Sequence, residues 1–143
     1  MTLIDREAVN NSSISYRESP GITPAALSEL FRSSGIKRPV DDETRLAMML
    51  KHANLIFGAF DGDRLVGVAR ALTDFSYCCY LSDLAVAREY QKLGIGRTLI
   101  EHVKRRIGNR SMLLLLSSPD AMTYYPTVGL EPVTNGWIIK RVS

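Results

Sequence analysis

The sequence has 143 residues, 45% of them hydrophobic and 23% charged, with a mean hydropathy of -0.02. Those proportions exclude a disordered, collagen-like or membrane-spanning chain. Eighteen basic against fifteen acidic residues leave a net charge of +3, too small an excess to argue for nucleic acid by itself.

At this length one domain over residues 1–143 is expected, with a core that needs no disulfide or structural metal. Two histidines, His52 and His102, and the adjacent cysteines Cys78 and Cys79 give no zinc-ligand spacing, so no metal site is expected. No apolar run approaches the roughly 18 residues of a membrane span. Residues 1–13 carry Asp5, Arg6 and Glu7 and no apolar leader core, which makes the cytoplasm the expected compartment.

Residues 14–17 alternate weakly and suggest a short strand. Thr23-Pro24 opens a helix as N-cap and first helical residue, with Ala26, Leu27, Leu30 and Phe31 on its apolar face and Gly35 as its stop. A second helix follows Asp41 and Asp42 and runs to about His52, turning Leu46, Met49 and Leu50 inward. Apolar runs 55–60 and 65–73 flank Asp61-Gly62-Asp63, a strong hairpin signal. Gly58 and Gly67 inside them suggest bulges or close backbone approach.

A third strand is expected over 77–86. The chain then passes through Gln91-Lys92-Leu93-Gly94-Ile95-Gly96-Arg97-Thr98 into a helix ending at Gly108, with Leu99, Ile100, Val103 and Ile107 on one side. Residues 112–116 form a continuous apolar run, the pattern of a central strand buried on both faces. A short helix over 119–125 and two strands, 130–133 and 137–141 around Asn135-Gly136, complete the order β-α-α-β-β-β-α-β-α-β-β. The fold class is a mixed-sheet α/β protein with one parallel crossover.

The chemistry concentrates in the glycine loop. A helix N-terminus leaves N–H groups unpaired at the positive end of its dipole and attracts phosphate. Gly94 and Gly96 remove side chains that would block the backbone, while Lys92, Arg97 and Thr98 add charge and a hydroxyl. A Walker phosphate loop fails for want of its lysine and spacing. A Rossmann fingerprint fails for want of a third glycine and of a preceding parallel sheet. A plain structural turn stays open on these two glycines alone.

The order of elements and two motifs resemble the GNAT superfamily of N-acetyltransferases. Gln91-x-x-Gly94-x-Gly96 matches that family's Arg/Gln-x-x-Gly-x-Gly/Ala loop, and Leu84-Ala85-Val86 matches the Leu-x-Val strand end before it. Ala121-Met122-Thr123-Tyr124-Tyr125 with Gly129-Leu130 approximates its second stretch, so the likeness covers about residues 14–141.

The resemblance implies acetyl-CoA lying where two parallel strands splay, here those ending at Val86 and Ser117. It implies a pantetheine arm on the backbone of Leu84, Ala85 and Val86, with the Val86 N–H polarising the thioester carbonyl. The pyrophosphate would rest on the N–H groups of Gln91, Lys92, Leu93, Gly94, Ile95, Gly96, Arg97 and Thr98. Ser117 stands where many members place an asparagine. Tyr125 aligns with the general acid, a phenol still protonated at neutral pH; without the resemblance it is a half-buried aromatic. Pro126 biases Tyr125 away from the α region and makes Tyr124 the alternative. Asp83 and Asp74 are candidate bases, each equally readable as a carboxylate at a strand end.

The expected function is direct transfer of an acetyl group from acetyl-CoA to a primary amine, small molecule or peptide, in a ternary complex. The alternative is a non-catalytic acyl-CoA-binding or regulatory domain. Neither membrane nor nucleic acid is an expected partner, and a homodimer is open.

Overall fold

Local sequence signals act where expected along the first half of the chain. The computed structural model describes residues 13–143; residues 1–12, most of the stretch searched for a leader, lie outside the described residues. Strand β1 is Ser15–Glu18. Helix α1, Pro24–Ser34, starts where the Thr23 hydroxyl accepts the Ala26 N–H at 3.1 Å, and it stops at left-handed Gly35. Helix α2, Glu43–His52, is capped by Asp42, whose carboxylate accepts the Arg45 N–H at 3.0 Å.

Strands β2, Leu55–Asp61, and β3, Arg64–Thr73, form the hairpin, with Gly62 at φ +61° in its turn. Strand β4 is Cys78–Val86, helix α3 is Ile95–Ile107, and β5 is Met112–Leu114. The sheet order is β1-β2-β3-β4-β5, antiparallel up to β4 and parallel between β4 and β5. The crossover through α3 is therefore as expected.

Every residue from Val66 to Ala71 is buried, which requires cover on both faces of β3. On one face α3 comes close: a Cβ on Gly67 would stand 3.2 Å from Ile95 Cγ2 and Leu99 Cδ1. Glycine there lets helix and sheet touch. On the other face lie α1 and α2, and Arg70 reaches the Met49 carbonyl of α2 at 3.3 Å. Leu27, Leu30, Phe31, Leu46, Leu99, Ile100, Val103 and Ile107 are all in the core.

The second half departs from expectation. The apolar run 112–116 does not become a central strand: β5 covers three residues and ends the sheet, with Met112 58% and Leu116 61% exposed. The helix expected over 119–125 is replaced by two 3-10 turns, Pro119–Ala121 and Tyr125–Val128. Pro126 lacks the N–H that an α-helix through 125 would need, while the first turn of a new helix tolerates it. Residues 130–133 and 137–141 form no strand, and both stretches are largely exposed. Among the described residues, no helix is long and apolar enough to cross a membrane, and no three metal-binding side chains cluster.

Candidate active site

The site begins where β4 and β5 part. Their last paired residues are Tyr80 and Leu114, yet β4 runs on for six more residues to Val86. The chain segments 81–86 and 115–118 thus line an open fork. At its apex β4 carries a bulge: Asp83 faces Arg70 and Leu81 faces Ala71, leaving Ser82 unpaired.

Beyond the bulge the ladder fixes which backbone groups face the fork. The Ala87 N–H donates to Val66 O at 2.8 Å, so Ala87 and, by alternation, Ala85 turn their polar groups toward β3. Leu84 and Val86 turn theirs the other way, into the fork. Of the three residues expected to hold an extended ligand arm, Ala85 therefore has its main chain committed to the sheet. Gln91 donates from Nε2 to the Val86 carbonyl at 2.9 Å, with the Ser34 carbonyl also within 3.3 Å. Its amide side chain joins strand end to loop.

The loop itself is built by two left-handed residues, Lys92 at φ +67° and Gly94 at φ +84°. Gly94 takes the N-cap position of α3 and has no side chain to satisfy the first-turn donors. Thr98 is the first residue whose N–H finds the helical acceptor, Gly94 O at 3.0 Å. The N–H groups from Leu93 to Arg97 thus stand at the helix end available to an anion. At the ends of the expected run the donors are spent. The Gln91 N–H donates to Arg88 O at 3.3 Å, and the Thr98 hydroxyl donates to Gly94 O at 3.0 Å. Ile95 is buried against the sheet and pins the loop from beneath, while exposed Arg97 reaches across to the Thr127 carbonyl at 3.0 Å.

Gly96 faces the second tyrosine-bearing wall. A Cβ at this position would stand 3.0 Å from Tyr124 Oη and 3.9 Å from Leu84 Cδ2. A side chain would fill the space between loop, fork and Tyr124, so glycine keeps that cradle open. The two tyrosines diverge, their rings meeting edge to face with centroids 5.2 Å apart. Tyr124 faces the glycine loop; Tyr125 packs against the core and lies within electrostatic reach of Arg38. Burial raises the Tyr124 phenol above its ordinary value, and Arg97 opposes the rise. Burial raises Tyr125 likewise, Tyr124 adds to it and Arg38 opposes it. Both hydroxyls hold their protons at neutral pH.

Asp83 is fully buried, and both of its oxygens are taken. Arg38 Nε donates to Oδ1 at 2.5 Å, and Arg70 Nε donates to Oδ2. The same arginines hold the bulge: Arg38 Nη2 donates to the Ser82 carbonyl at 2.8 Å and Arg70 Nη2 to the Ser82 hydroxyl at 3.0 Å. Asp83, a candidate base by sequence, thus has each oxygen held by a guanidinium group and no exposure to solvent. Asp74, exposed, has one oxygen committed. Its Oδ1 accepts the N–H groups of Ser76, Tyr77 and Cys78 at 2.8–3.0 Å, which lowers its pKa to about 2. Ser117 turns its hydroxyl to the Ser118 carbonyl at 2.9 Å, beside Met122 Sδ.

Arg38, Arg70 and Ser82 are the residues that sequence reading missed. One signal was present: Arg70 and Asp83 are the charged residues inside otherwise apolar strands, and buried charges occur in pairs. Nothing local in the sequence points to Arg38.

The acetyltransferase (GNAT) domain model matches residues 22–136. The uncharacterized N-acetyltransferase ycf52 of Porphyra purpurea is 27% identical over 110 residues, 72% of this chain and 62% of the relative. The chloroplastic serotonin N-acetyltransferase 2 of Oryza sativa subsp. japonica is 28% identical over 119 residues, 79% of this chain and 58% of the relative. The matches thus span about three-fifths of these relatives' length. Among solved structures, a probable acetyltransferase of methicillin-resistant Staphylococcus aureus superposes with TM-score 0.77 at 23% identity, over 90% of this chain and 99% of that one. An aminoglycoside N-acetyltransferase AAC(6')-Iy in complex with CoA superposes with TM-score 0.68 at 16% identity, over 91% and 95%. The two structures share the fold, and the match over residues 22–136 gives the conclusion: this chain belongs to the GNAT acetyltransferase family.

Proposed function

We propose that residues 1–143 act as one domain that transfers the acetyl group of acetyl-CoA to a primary amine within a ternary complex. The observation that carries this reading is the continuity of the fork with the capless start of α3. The fork-facing backbone groups of Leu84 and the Val86 N–H lead to the N–H groups of Leu93 to Arg97. An extended amide-bearing arm ending in a diphosphate has that sequence of needs. The open cradle at Gly96 agrees with it.

Acetyl-CoA, when bound, supplies an acetyl group activated as a thioester. Leu84 and Val86 pair with its amide arm as an added strand would, and the Val86 N–H faces the fork as a donor for developing negative charge. The N–H groups at the start of α3, with Lys92 and Arg97 at the rim, hold the diphosphate. Tyr125 Oη keeps its proton for the departing sulfur. Tyr124, aimed at Gly96, closes the cradle and orients what lies in it. Asp83 holds the bulge in shape through Ser82. With Asp83 and Asp74 both engaged, the amine's proton passes to water at the open fork. The names of the relatives include serotonin and aminoglycoside acetyltransferases. Across that range the shared feature is an amine acceptor, and a primary amine is the acceptor class proposed here.

Thermal unfolding with CoA tests the site. Wild type should gain melting temperature with millimolar CoA by mass action. Gly96→Leu, which fills the cradle, should melt as wild type does alone and gain nothing from CoA. Absence of any shift in wild type would refute the site.

A further inference from the structure

The glycine loop runs over residues 91–94 between two buried residues, Tyr90 and Ile95, and the β2–β3 hairpin holds both. Ile95 rests on β3, where a Cβ on Gly67 would stand 3.2 Å from its Cγ2. Such apolar contact is non-directional and tolerates a small shift. Tyr90 is held differently. Its ring is 7% exposed, and its hydroxyl donates at 2.5 Å to Oδ2 of Asp61, the last residue of β2. Asp61 pairs with Arg64 across the turn, and Arg17 of β1 donates from Nη2 to the Gly62 carbonyl at 3.2 Å. The acceptor of the Tyr90 hydrogen bond is thus fixed by the sheet itself. Arg64 reaches over from the same turn, its guanidinium 5.4 Å from the Tyr90 ring centroid and its Nη2 2.6 Å from Glu89 Oε1. That ion pair is nearly half exposed and contributes little alone. Burial raises the Tyr90 phenol above its ordinary value and Asp61 adds to the rise, so the hydroxyl is a donor at neutral pH.

Lys92 and Gly94, both left-handed, turn the chain between the two anchors. A rotation at Tyr90 therefore passes to the N–H groups that follow, from Leu93 onward. We propose that Tyr90, held by Asp61, is a positioning residue for the diphosphate of acetyl-CoA, fixing the direction in which the loop's N–H groups point. Its hydroxyl is engaged with Asp61 and acts on the ligand only through the loop. This role rests on the loop being the diphosphate site. Donors set in advance lose little freedom when the ligand arrives, so the effect falls on affinity and not on the chemical step.

Tyr90→Phe keeps the ring in the core and removes the hydroxyl alone. Calorimetric titration should give a CoA dissociation constant about 10-fold above that of wild type. Asp61→Asn keeps an oxygen for the Tyr90 O–H and should bind CoA within about 3-fold of wild type. Asp61→Ala should match Tyr90→Phe, and the two together should bind no worse than either. S-Acetylpantetheine carries the thioester and its arm without the diphosphate, so amine-dependent thiol release from it should be equal for Tyr90→Phe and wild type. Two results would overturn the role and leave the site standing: Tyr90→Phe binding CoA as tightly as wild type, or losing acetylpantetheine turnover along with CoA affinity. No CoA binding by wild type would instead remove the diphosphate site, and the role with it. If Asp61→Ala misfolds by circular dichroism, Tyr90→Phe decides alone.

Discussion

Arg38, in the connection between the first two helices, meets Asp83, in the middle of β4, at 2.5 Å although they lie 45 positions apart. Arg70 completes the contact from the neighbouring strand, so one buried carboxylate joins loop, strand and bulge. Removing one partner of such a pair leaves a buried charge uncompensated. Asp83→Ala should therefore destabilise the fold by about 3–5 kcal/mol in chemical denaturation, since Arg70 is only 7% exposed. Were Asp83 a base at a solvated strand end, the substitution would instead abolish turnover and leave stability nearly unchanged.

The general acid is tested by removing one oxygen. Tyr125→Phe keeps the ring and its packing, so kcat should fall by at least roughly 10²-fold while the KM for acetyl-CoA holds. Tyr124→Phe should act on the other side of the ratio, raising KM with a smaller change in kcat, because its hydroxyl faces Gly96. The Tyr125 phenol titrates above its ordinary value of 10.0, so loss of rate from its ionisation should set in above that pH. Steady-state kinetics of the two variants across pH checks all three points.

How much of this was legible in the sequence differs along the chain. Thr23, Asp42, Gly35 and the Asp61-Gly62 turn are local signals whose chemistry acts within a few residues, and they placed the first half closely. The glycine loop was legible for the same reason: Gly94 does its work by its own φ. The central run 112–116 misleads, because a continuous apolar stretch implies cover on both faces, whereas only Leu113 and Leu115 pack against the core and Met112 and Leu116 face outward. The Asp83 site was half legible. A buried charge in a strand announces a partner, but identifying Arg38 requires knowing how a distant loop folds back. Pro126 biases Tyr125 away from the α region by local sterics, yet Tyr125 opens a 3-10 turn over Tyr125–Val128 with Pro126 in its first turn.

Asp74 gives the fold a defined acid sensitivity. Its carboxylate is stabilised first by the Tyr77 N–H, then by those of Cys78 and Ser76, and its pKa falls from 3.8 to about 2. A depressed folded-state value means stability present above pH about 4 and lost as pH falls toward 2. Asp74→Ala should melt below wild type at pH 6, and the gap should narrow between pH about 4 and 2. A gap independent of pH over that range would show that the turn is held by something other than the charge.

The loop should respond to backbone geometry as well as to bulk. Gly94 sits at φ +84°, where a β-branched residue is strained, so Gly94→Val should lower the melting temperature and weaken CoA binding together. Gly96→Leu should weaken binding with little effect on melting. Calorimetric titration with CoA beside thermal melts separates the two.

The most direct test of acetyl transfer is the release of free CoA thiol from acetyl-CoA, corrected for hydrolysis, across a panel of polyamines, amino acids, aminoglycosides and peptides. At least one amine should drive release well above the amine-free rate. That rate should rise with pH as the amine loses its proton, since no engaged carboxylate of the chain takes it. CoA binding without amine-dependent thiol release across the whole panel would contradict the account and leave a domain that binds acyl-CoA without transferring from it.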